Sequence, residues 1–276
     1  MHAQYGLVFD QESPMQTLQI HNDLRGVTTV TMARPEVFNA FNEVMIAELT
    51  QVFMQLSSDP AVRLVVLAGQ GKAFSAGADI AWMQRASQAT QGENLEDARR
   101  FAAMLDLIAC CPKPTIARVQ GLALGGGVGL ACACDIALAS PDAKFAVSEA
   151  RFGILPAVIG PYVVNAVGAR QARRLALTAS RIGADEAYRI GLIHECSQDL
   201  DTAVERWITE LLQNGPLAQA EIKRLLAQLE VGPITEQVRE LTAQTISRVR
   251  MGDEAREGFA AFMAKRPAAW VPKQDS

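Results

Sequence analysis

Residues 115–139 read TIARVQGLALGGGVGLACACDIALA, and this stretch decides the fold class. It predicts an apolar strand at 115–119, a glycine loop at 121–127, a helix at about 128–134 and a strand at 135–139. Strand, glycine turn, helix and strand in that order are typical of an α/β protein. The loop also bears on function, because small residues let a ligand approach the backbone closely.

A second glycine turn, KAFSAGADI at residues 72–80, follows the short apolar run 64–67. A helix N-terminus presents unpaired N–H groups and a partial positive charge. Two such turns facing each other would stabilise a developing oxyanion. A purely structural pair of tight turns remains the alternative. Neither turn fits a known phosphate loop, since Leu130 and Ala73 stand where a Rossmann loop needs glycine and a P-loop needs Ser or Thr.

The rest of the sequence also fits an α/β protein. We predict a hairpin within 17–32, helices at 43–57 and 93–109, a polar loop at 86–92, and mostly helix after about residue 160. These elements suggest an α/β core at residues 1–200 and a helical C-terminal region at 201–276.

Composition excludes several classes. The 276 residues are 49% hydrophobic and 20% charged, with a formal net charge of -4, as in an ordinary globular enzyme. With this acidic balance, the protein has no positive electrostatic field to attract a nucleic acid. No apolar run is long enough to cross a membrane. The N-terminus lacks the pattern of a secretory signal. The five cysteines do not form a disulfide framework, so we expect reduced thiols and a cytoplasmic protein.

Among the polar residues, Glu149 is the candidate for acid–base chemistry. It lies in a mostly apolar neighbourhood, where burial would raise its pKa and allow proton exchange near neutral pH. Pairing with Arg151, or capping of a turn, is the competing explanation. His2, His21 and His194 lie in poor contexts for a catalytic triad or a zinc site, so we predict no metal.

Taken together, these motifs resemble the crotonase (enoyl-CoA hydratase/isomerase) superfamily from about Leu18 to Pro267. The resemblance is carried by Arg34-Pro35, Asn39-Ala40-Phe41, residues 73–80, residues 121–127, Cys134-Asp135-Ile136, residues 145–149 and Gly191-Leu192.

The resemblance implies a spiral of ββα units and a helical C-terminal region that builds trimers, often paired into hexamers, and closes the CoA pocket. The oxyanion donors would be the backbone N–H groups of Ala78 and Gly126, with Glu149 as the acid–base group. Coenzyme A would enter as part of the substrate thioester, with no separate cofactor. Its binding residues would be Val37, Phe38, Ala76, Asp79, Ile80, Gly125 and Lys265. Asp79 would be structural rather than catalytic.

One position departs from the family pattern. Familiar hydratases carry a first glutamate where this chain has Gly129, so only one acid–base carboxylate remains. This keeps open a Δ3,Δ2-enoyl-CoA isomerase, and a non-catalytic binding protein of the same fold is a further alternative.

Other segments favour hydration of a branched, carboxylated substrate. Residues 79–83, 125–130 and 148–164 are similar to bacterial methylglutaconyl-CoA and isohexenylglutaconyl-CoA hydratases. Gly129 is then expected to make room for a substrate branch, with Arg151 as a cation for the substrate carboxylate.

Overall fold

The computed structural model describes residues 15–273, so His2 and most of the N-terminal stretch searched for a signal lie outside the described residues. The described chain begins with the predicted hairpin. Strands β1 (Leu18–Asn22) and β2 (Val27–Met32) pair antiparallel in the register Leu18↔Met32. The hairpin turns around Asn22 and Asp23 as predicted: Asn22 ends β1, and the Asp23 carboxylate in the turn accepts the N–H of Val27 at 2.9 Å.

This hairpin forms one edge of a mainly parallel sheet of six strands. The further strands are β3 (Leu64–Gly69), β4 (Thr115–Val119), β6 (Ile136–Ala139) and β9 (Glu195–Cys196). The order is β1-β2-β3-β4-β6-β9, and every pair after the first is parallel. All six residues of β3 are buried. This explains its wholly apolar sequence, because a strand inside a parallel sheet is covered on both faces.

A second sheet has three short strands, β5 (Leu122–Leu124), β7 (Lys144–Ala146) and β8 (Ile182–Gly183). Strand β5 lies inside the predicted glycine loop, where three apolar residues pair in parallel with β7. Helices α4 (Gly126–Ala133) and α5 (Gly160–Thr178) complete two ββα units, β4-β5-α4 and β6-β7-α5. This is the repeat that the resemblance implies.

Three α-helices of the described chain precede the glycine loop, and the first and third of them cover one face of the large sheet. They are α1 (Glu43–Ser58), α2 (Ile80–Ala86) and α3 (Gln91–Ala109). The first and third were predicted, but α2 was not. Helix α3 begins two residues before the predicted start, because Thr90 and Glu93 form a capping box there.

Alternation along β3 divides the core into two layers. Val65 and Leu67 join the large cluster under α1 and α3, whereas Leu64 and Val66 face a second cluster built on α7 (Leu200–Leu212). Helix α7, which the sequence-based division assigns to the C-terminal region, therefore covers the second face of the six-stranded sheet.

The remaining helices are α6 (Ala184–Arg189), α8 (Pro216–Leu226), α9 (Glu236–Arg250) and α10 (Asp253–Met263). The Glu254 carboxylate joins α10 to α8 by accepting the N–H groups of Leu217 and Ala218 at 2.9 and 2.8 Å. None of the helices described is both long and apolar enough to span a bilayer.

Candidate active site

The two predicted glycine turns lie against each other. Ser75 and Ala123 form a parallel bridge that attaches the first turn to β5. Further on, a Cβ placed on Gly77 would lie 2.6 Å from the Leu124 carbonyl oxygen and 3.5 Å from the Gly126 nitrogen. The first turn thus reaches the N-terminus of α4.

The backbone around Ala78 leaves its amide available. Phe41 donates its N–H to the Gly77 carbonyl at 2.8 Å and accepts the Asp79 N–H at 2.9 Å. Because the neighbours of Ala78 are held by Phe41, the N–H of Ala78 itself points away from Phe41. The Gly77 N–H donates to the Ser75 hydroxyl at 3.2 Å. Within residues 15–273, no acceptor takes the Ala78 N–H.

The amide of Gly126 is the first of α4. Gly125 precedes it with φ 50° and ψ −120°, a conformation that favours glycine, and donates its N–H to the Ala146 carbonyl at 2.8 Å. The first amides of a helix have no partner inside the helix. No described residue accepts the Gly126 N–H either, and the helix end adds a partial positive charge.

Close packing explains why the triplet consists of glycine. A Cβ on Gly126 would lie 2.2 Å from Phe41 Cζ and 3.1 Å from Phe101 Cζ. On Gly127, a Cβ would lie 2.4 Å from the Ser75 carbonyl oxygen. A larger residue at 127 would push the two turns apart, and one at 126 would displace Phe41 and Phe101.

Glu149 opens a 3-10 turn (Glu149–Phe152) directly beside α4. Its Oε1 lies 3.3 Å from the point where Gly125 would carry a Cβ. Its Oε2 is buried and has no hydrogen-bond partner among the described residues. Burial raises the pKa of the Glu149 carboxyl above its ordinary value. Arg151 is exposed and forms no ion pair with Glu149 in the described chain, so the pairing that competed with acid–base chemistry is not what the structure shows.

Asp79 holds the turn after Ala78. Its carboxylate caps α2 by accepting the Ala81 and Trp82 N–H groups at 2.8 and 3.3 Å, and it pairs with Arg34 at 2.9 Å. Burial alone would raise the pKa of Asp79, but the guanidinium and the two amides bring it below its usual value. These contacts are structural ones.

The residues expected to line coenzyme A gather beside the first turn. Ala76 donates its N–H to the Phe38 carbonyl at 2.9 Å, which places Val37 and Phe38 next to Asp79 and its helix. Phe38 is 48% exposed and Ile80 75% exposed. Two exposed apolar side chains at a strand-end turn offer a surface for a ligand.

Lys265 belongs to the C-terminal segment. It lies exposed after α10 with φ 52°, and no hydrogen bond joins it to the other predicted CoA residues within 15–273. The segment that follows is tied to the sheet at Trp270, whose carbonyl accepts Arg63 Nη1 at 2.7 Å. Arg63 lies before the N-terminal end of β3, whereas Ala78 and Gly126 follow the C-terminal ends of β3 and β5.

The space beside Gly129 differs from the expectation. A Cβ there would lie 2.3 Å from Ile159 Cγ2, 2.9 Å from Ile159 Cβ and 3.7 Å from Leu105 Cδ1. Ile159 is buried. Gly129 therefore accommodates the protein's own isoleucine rather than opening room for a substrate branch.

Sequence reasoning gave no role to several residues that shape the site. Phe41 and Arg34 belong to quoted motifs, but their contacts with Gly126 and Asp79 join distant segments. The Ser75 hydroxyl donates to the Asn39 carbonyl at 2.9 Å as well as accepting Gly77 N–H. A serine inside a glycine turn is the one sequence signal from which such a contact could have been predicted.

The fold and the site define a class: an α/β protein with two available backbone amides and, beside the second of them, one half-buried carboxyl group. Such an arrangement suits stabilisation of an oxyanion together with proton transfer. No group of three His, Cys, Asp or Glu side chains in the described chain is placed to hold a metal ion.

The chain belongs to the enoyl-CoA hydratase/isomerase family, whose sequence profile matches residues 23–273. It is 35% identical over 248 residues to a crotonyl-CoA hydratase of Syntrophomonas wolfei, covering 87% of this chain and 92% of that one. It is 31% identical over 258 residues to a mitochondrial Delta(3,5)-Delta(2,4)-dienoyl-CoA isomerase of Dictyostelium discoideum, covering 89% and 87%.

Solved structures agree on the fold. An enoyl-CoA hydratase from Shewanella pealeana superposes with a TM-score of 0.90 at 40% identity, covering 93% of this chain and 96% of that one. The predicted α/β crotonase fold and the prediction of an enzyme of this family are confirmed.

Proposed function

We propose that this protein is an enoyl-CoA hydratase that adds water to a branched, carboxylated enoyl-CoA of the 3-methylglutaconyl-CoA or isohexenylglutaconyl-CoA type. The observation that carries the proposal is the half-buried Glu149 carboxyl, whose buried Oε2 has no partner in the described chain, beside the N-terminus of α4.

The oxyanion would form between the two turns. The thioester carbonyl lies between the N–H groups of Ala78 and Gly126, and water adds to the β-carbon. The electron pair of the double bond moves onto the thioester oxygen, where both amides donate to it. Removing one such donor from an enzyme typically costs about 100- to 1,000-fold in rate.

Glu149 would move the proton. In its protonated form it delivers a proton to the α-carbon as the enolate collapses. Its carboxylate then takes up the proton that the added water loses at the β-carbon, which restores the protonated form. A pKa raised by burial suits this exchange, since it makes the protonated form of Glu149 easier to populate than that of an exposed glutamate.

Coenzyme A would run along Val37, Phe38, Ala76, Asp79, Ile80 and Gly125. The exposed apolar surface of Phe38 and Ile80 supports this path. Because the chain that follows Lys265 is tied to the sheet at Arg63, beyond the opposite strand ends, its ammonium group would serve the CoA phosphates of a neighbouring copy. We therefore propose a trimer, or a dimer of trimers, completed by the C-terminal helices. A cytoplasmic location stays a prediction from the sequence.

The substrate class rests on sequence similarity in residues 148–164 and on Arg151. The Arg151 side chain is exposed, two residues after Glu149 on the same turn. A guanidinium there would pair with the distal carboxylate of a glutaconyl group.

A Δ3,Δ2-enoyl-CoA isomerase is the second candidate, and the single carboxyl favours it. One carboxylate is sufficient to take a proton from the α-carbon and return it to the γ-carbon. The same two amides would stabilise the dienolate formed between the two transfers.

One experiment separates the candidates. Methylglutaconyl-CoA, isohexenylglutaconyl-CoA, crotonyl-CoA and a 3-enoyl-CoA are incubated side by side in water labelled with oxygen-18. The proposal expects label in the products of the glutaconyl esters and the highest kcat/KM on one of them. Turnover of the 3-enoyl-CoA without label would establish the isomerase. Equal rates on crotonyl-CoA would remove the carboxylated substrate class.

A further inference from the structure

An isoleucine fills the space where a second acid–base side chain would lie. Ile159 and Leu105, which are 2% and 0% exposed, face the Cα of Gly129. Ile159 Cγ2 stands 2.3 Å from the point where a Cβ on Gly129 would be. The contact is too short for any residue but glycine at 129 while Ile159 stays in place.

This contact lies one helical turn from the carboxyl of Glu149. The Gly129 N–H donates to the Gly125 carbonyl at 3.3 Å, and Gly125 faces Glu149. Side chains on a helix lean toward its N-terminus. A side chain at 129 would therefore extend toward Glu149 and the first amide of α4.

Ile159 has little freedom to move aside. Its Cβ, which is fixed to the backbone, stands 2.9 Å from the position of a Cβ on Gly129. A β-branched side chain is also stiff about χ1. In addition, Ile159 occupies the N-cap of α5, immediately before Gly160 and Pro161.

We propose that Ile159 is a specificity-determining residue that limits this site to a single carboxyl group. It keeps the wall beyond Glu149 apolar and dry, so that a water molecule entering the site meets Glu149 and no second base. The packing relationship is independent of the activity, whereas its chemical consequence rests on the proposed function.

The packing is tested without substrate by a double-mutant cycle. Gly129→Ala should lower the stability of the protein with Ile159 present and should be tolerated in the background of Ile159→Gly. The expected coupling is about tenfold or more in the folding equilibrium constant, measured by denaturant unfolding. Additive effects of the two substitutions, or a fully stable Gly129→Ala protein, would overturn the packing claim.

The chemical role is tested by installing the missing acid. Gly129→Glu alone should fold poorly. Combined with Ile159→Gly it should fold, bind crotonyl-CoA and hydrate it about tenfold or more faster than Ile159→Gly alone. Equal hydration by the two folded proteins would overturn the role of Ile159. Failure of the wild type to hydrate any of methylglutaconyl-CoA, isohexenylglutaconyl-CoA and crotonyl-CoA would instead overturn the proposed function, and the stability cycle would still decide the packing.

Discussion

Gly77 lies so close to Leu124 that a Cβ on Gly77 would come within 2.6 Å of the Leu124 carbonyl oxygen. This contact joins the turn that follows β3 to the turn that follows β5. The amides of Ala78 and Gly126 are the next available donors on either side of it. The geometry of the candidate oxyanion site therefore depends on a glycine that is not itself a donor.

Gly77→Ala should destabilise the protein and abolish activity. Gly77 has φ 86°, which costs a residue other than glycine about 1–3 kcal/mol, and the clash with Leu124 adds to this. The free energy of unfolding, measured with urea, checks the first effect, and kcat/KM checks the second.

Gly153→Ala provides the matched control for stability. Gly153 has a similar φ of 74°, but nothing lies within 4 Å of its Cβ position. The Gly153→Ala protein should therefore lose only the stability that a positive φ costs an alanine. If Gly77→Ala is no more destabilising than Gly153→Ala, the two turns do not pack as described.

Glu149→Gln should leave binding of CoA esters nearly intact while kcat falls by about 100- to 10,000-fold, the usual contribution of a general acid–base group. Stopped-flow turnover and calorimetric binding of a saturated acyl-CoA measure the two quantities. Retained turnover would remove Glu149 from proton transfer. Loss of binding would show that its role is to hold the ligand.

The same substitution should change how stability depends on pH. The pKa of Glu149 is raised by burial in the folded protein. Its favourable contribution is therefore present below the pKa of the unfolded chain and is lost as the pH rises through the folded value. Relative to the wild type, Glu149→Gln should gain stability as the pH rises above 4.5, the ordinary pKa of a glutamate, and through the raised value in the folded protein. Thermal unfolding across this range checks the sign, and a constant or shrinking difference would contradict the burial.

The C-terminal helices should mediate self-association. Large apolar side chains are exposed on them, among them Leu226, Met251, Phe259, Phe262 and Met263. An apolar surface of this kind marks an interface between proteins. Light scattering after gel filtration should give the mass of a trimer or hexamer, and Phe262→Asp should lower it. Leu24→Asp, in the exposed hairpin turn, is the control and should not. A monomeric wild type would contradict the proposed assembly.

The elements with strong local signals were predictable from the sequence. Adjacent residues alone were sufficient to predict the apolar strand β3, the hairpin at Asn22 and the turn at the glycine triplet. Helix α2 was missed because its start depends on Asp79, whose carboxylate caps the helix while it pairs with Arg34 in a distant segment.

The two glycine turns of the candidate site were predictable from the sequence, but the packing around them was not. The resemblance to the family, rather than the glycine pattern, assigned the candidate donors to the amides of Ala78 and Gly126. That Ile159 occupies the space beside Gly129 depends on how α5 packs against α4, which no local pattern encodes. The expectation of an open pocket at Gly129 differed from the structure for that reason.

The most direct test of the account is a crystal structure of the Glu149→Gln protein with a bound enoyl-CoA. The account predicts that the thioester oxygen lies about 2.7–3.1 Å from the backbone nitrogens of both Ala78 and Gly126, with residue 149 beside the α-carbon. A thioester oxygen bound to only one of these amides, or an acyl group lying outside the two turns, would contradict it.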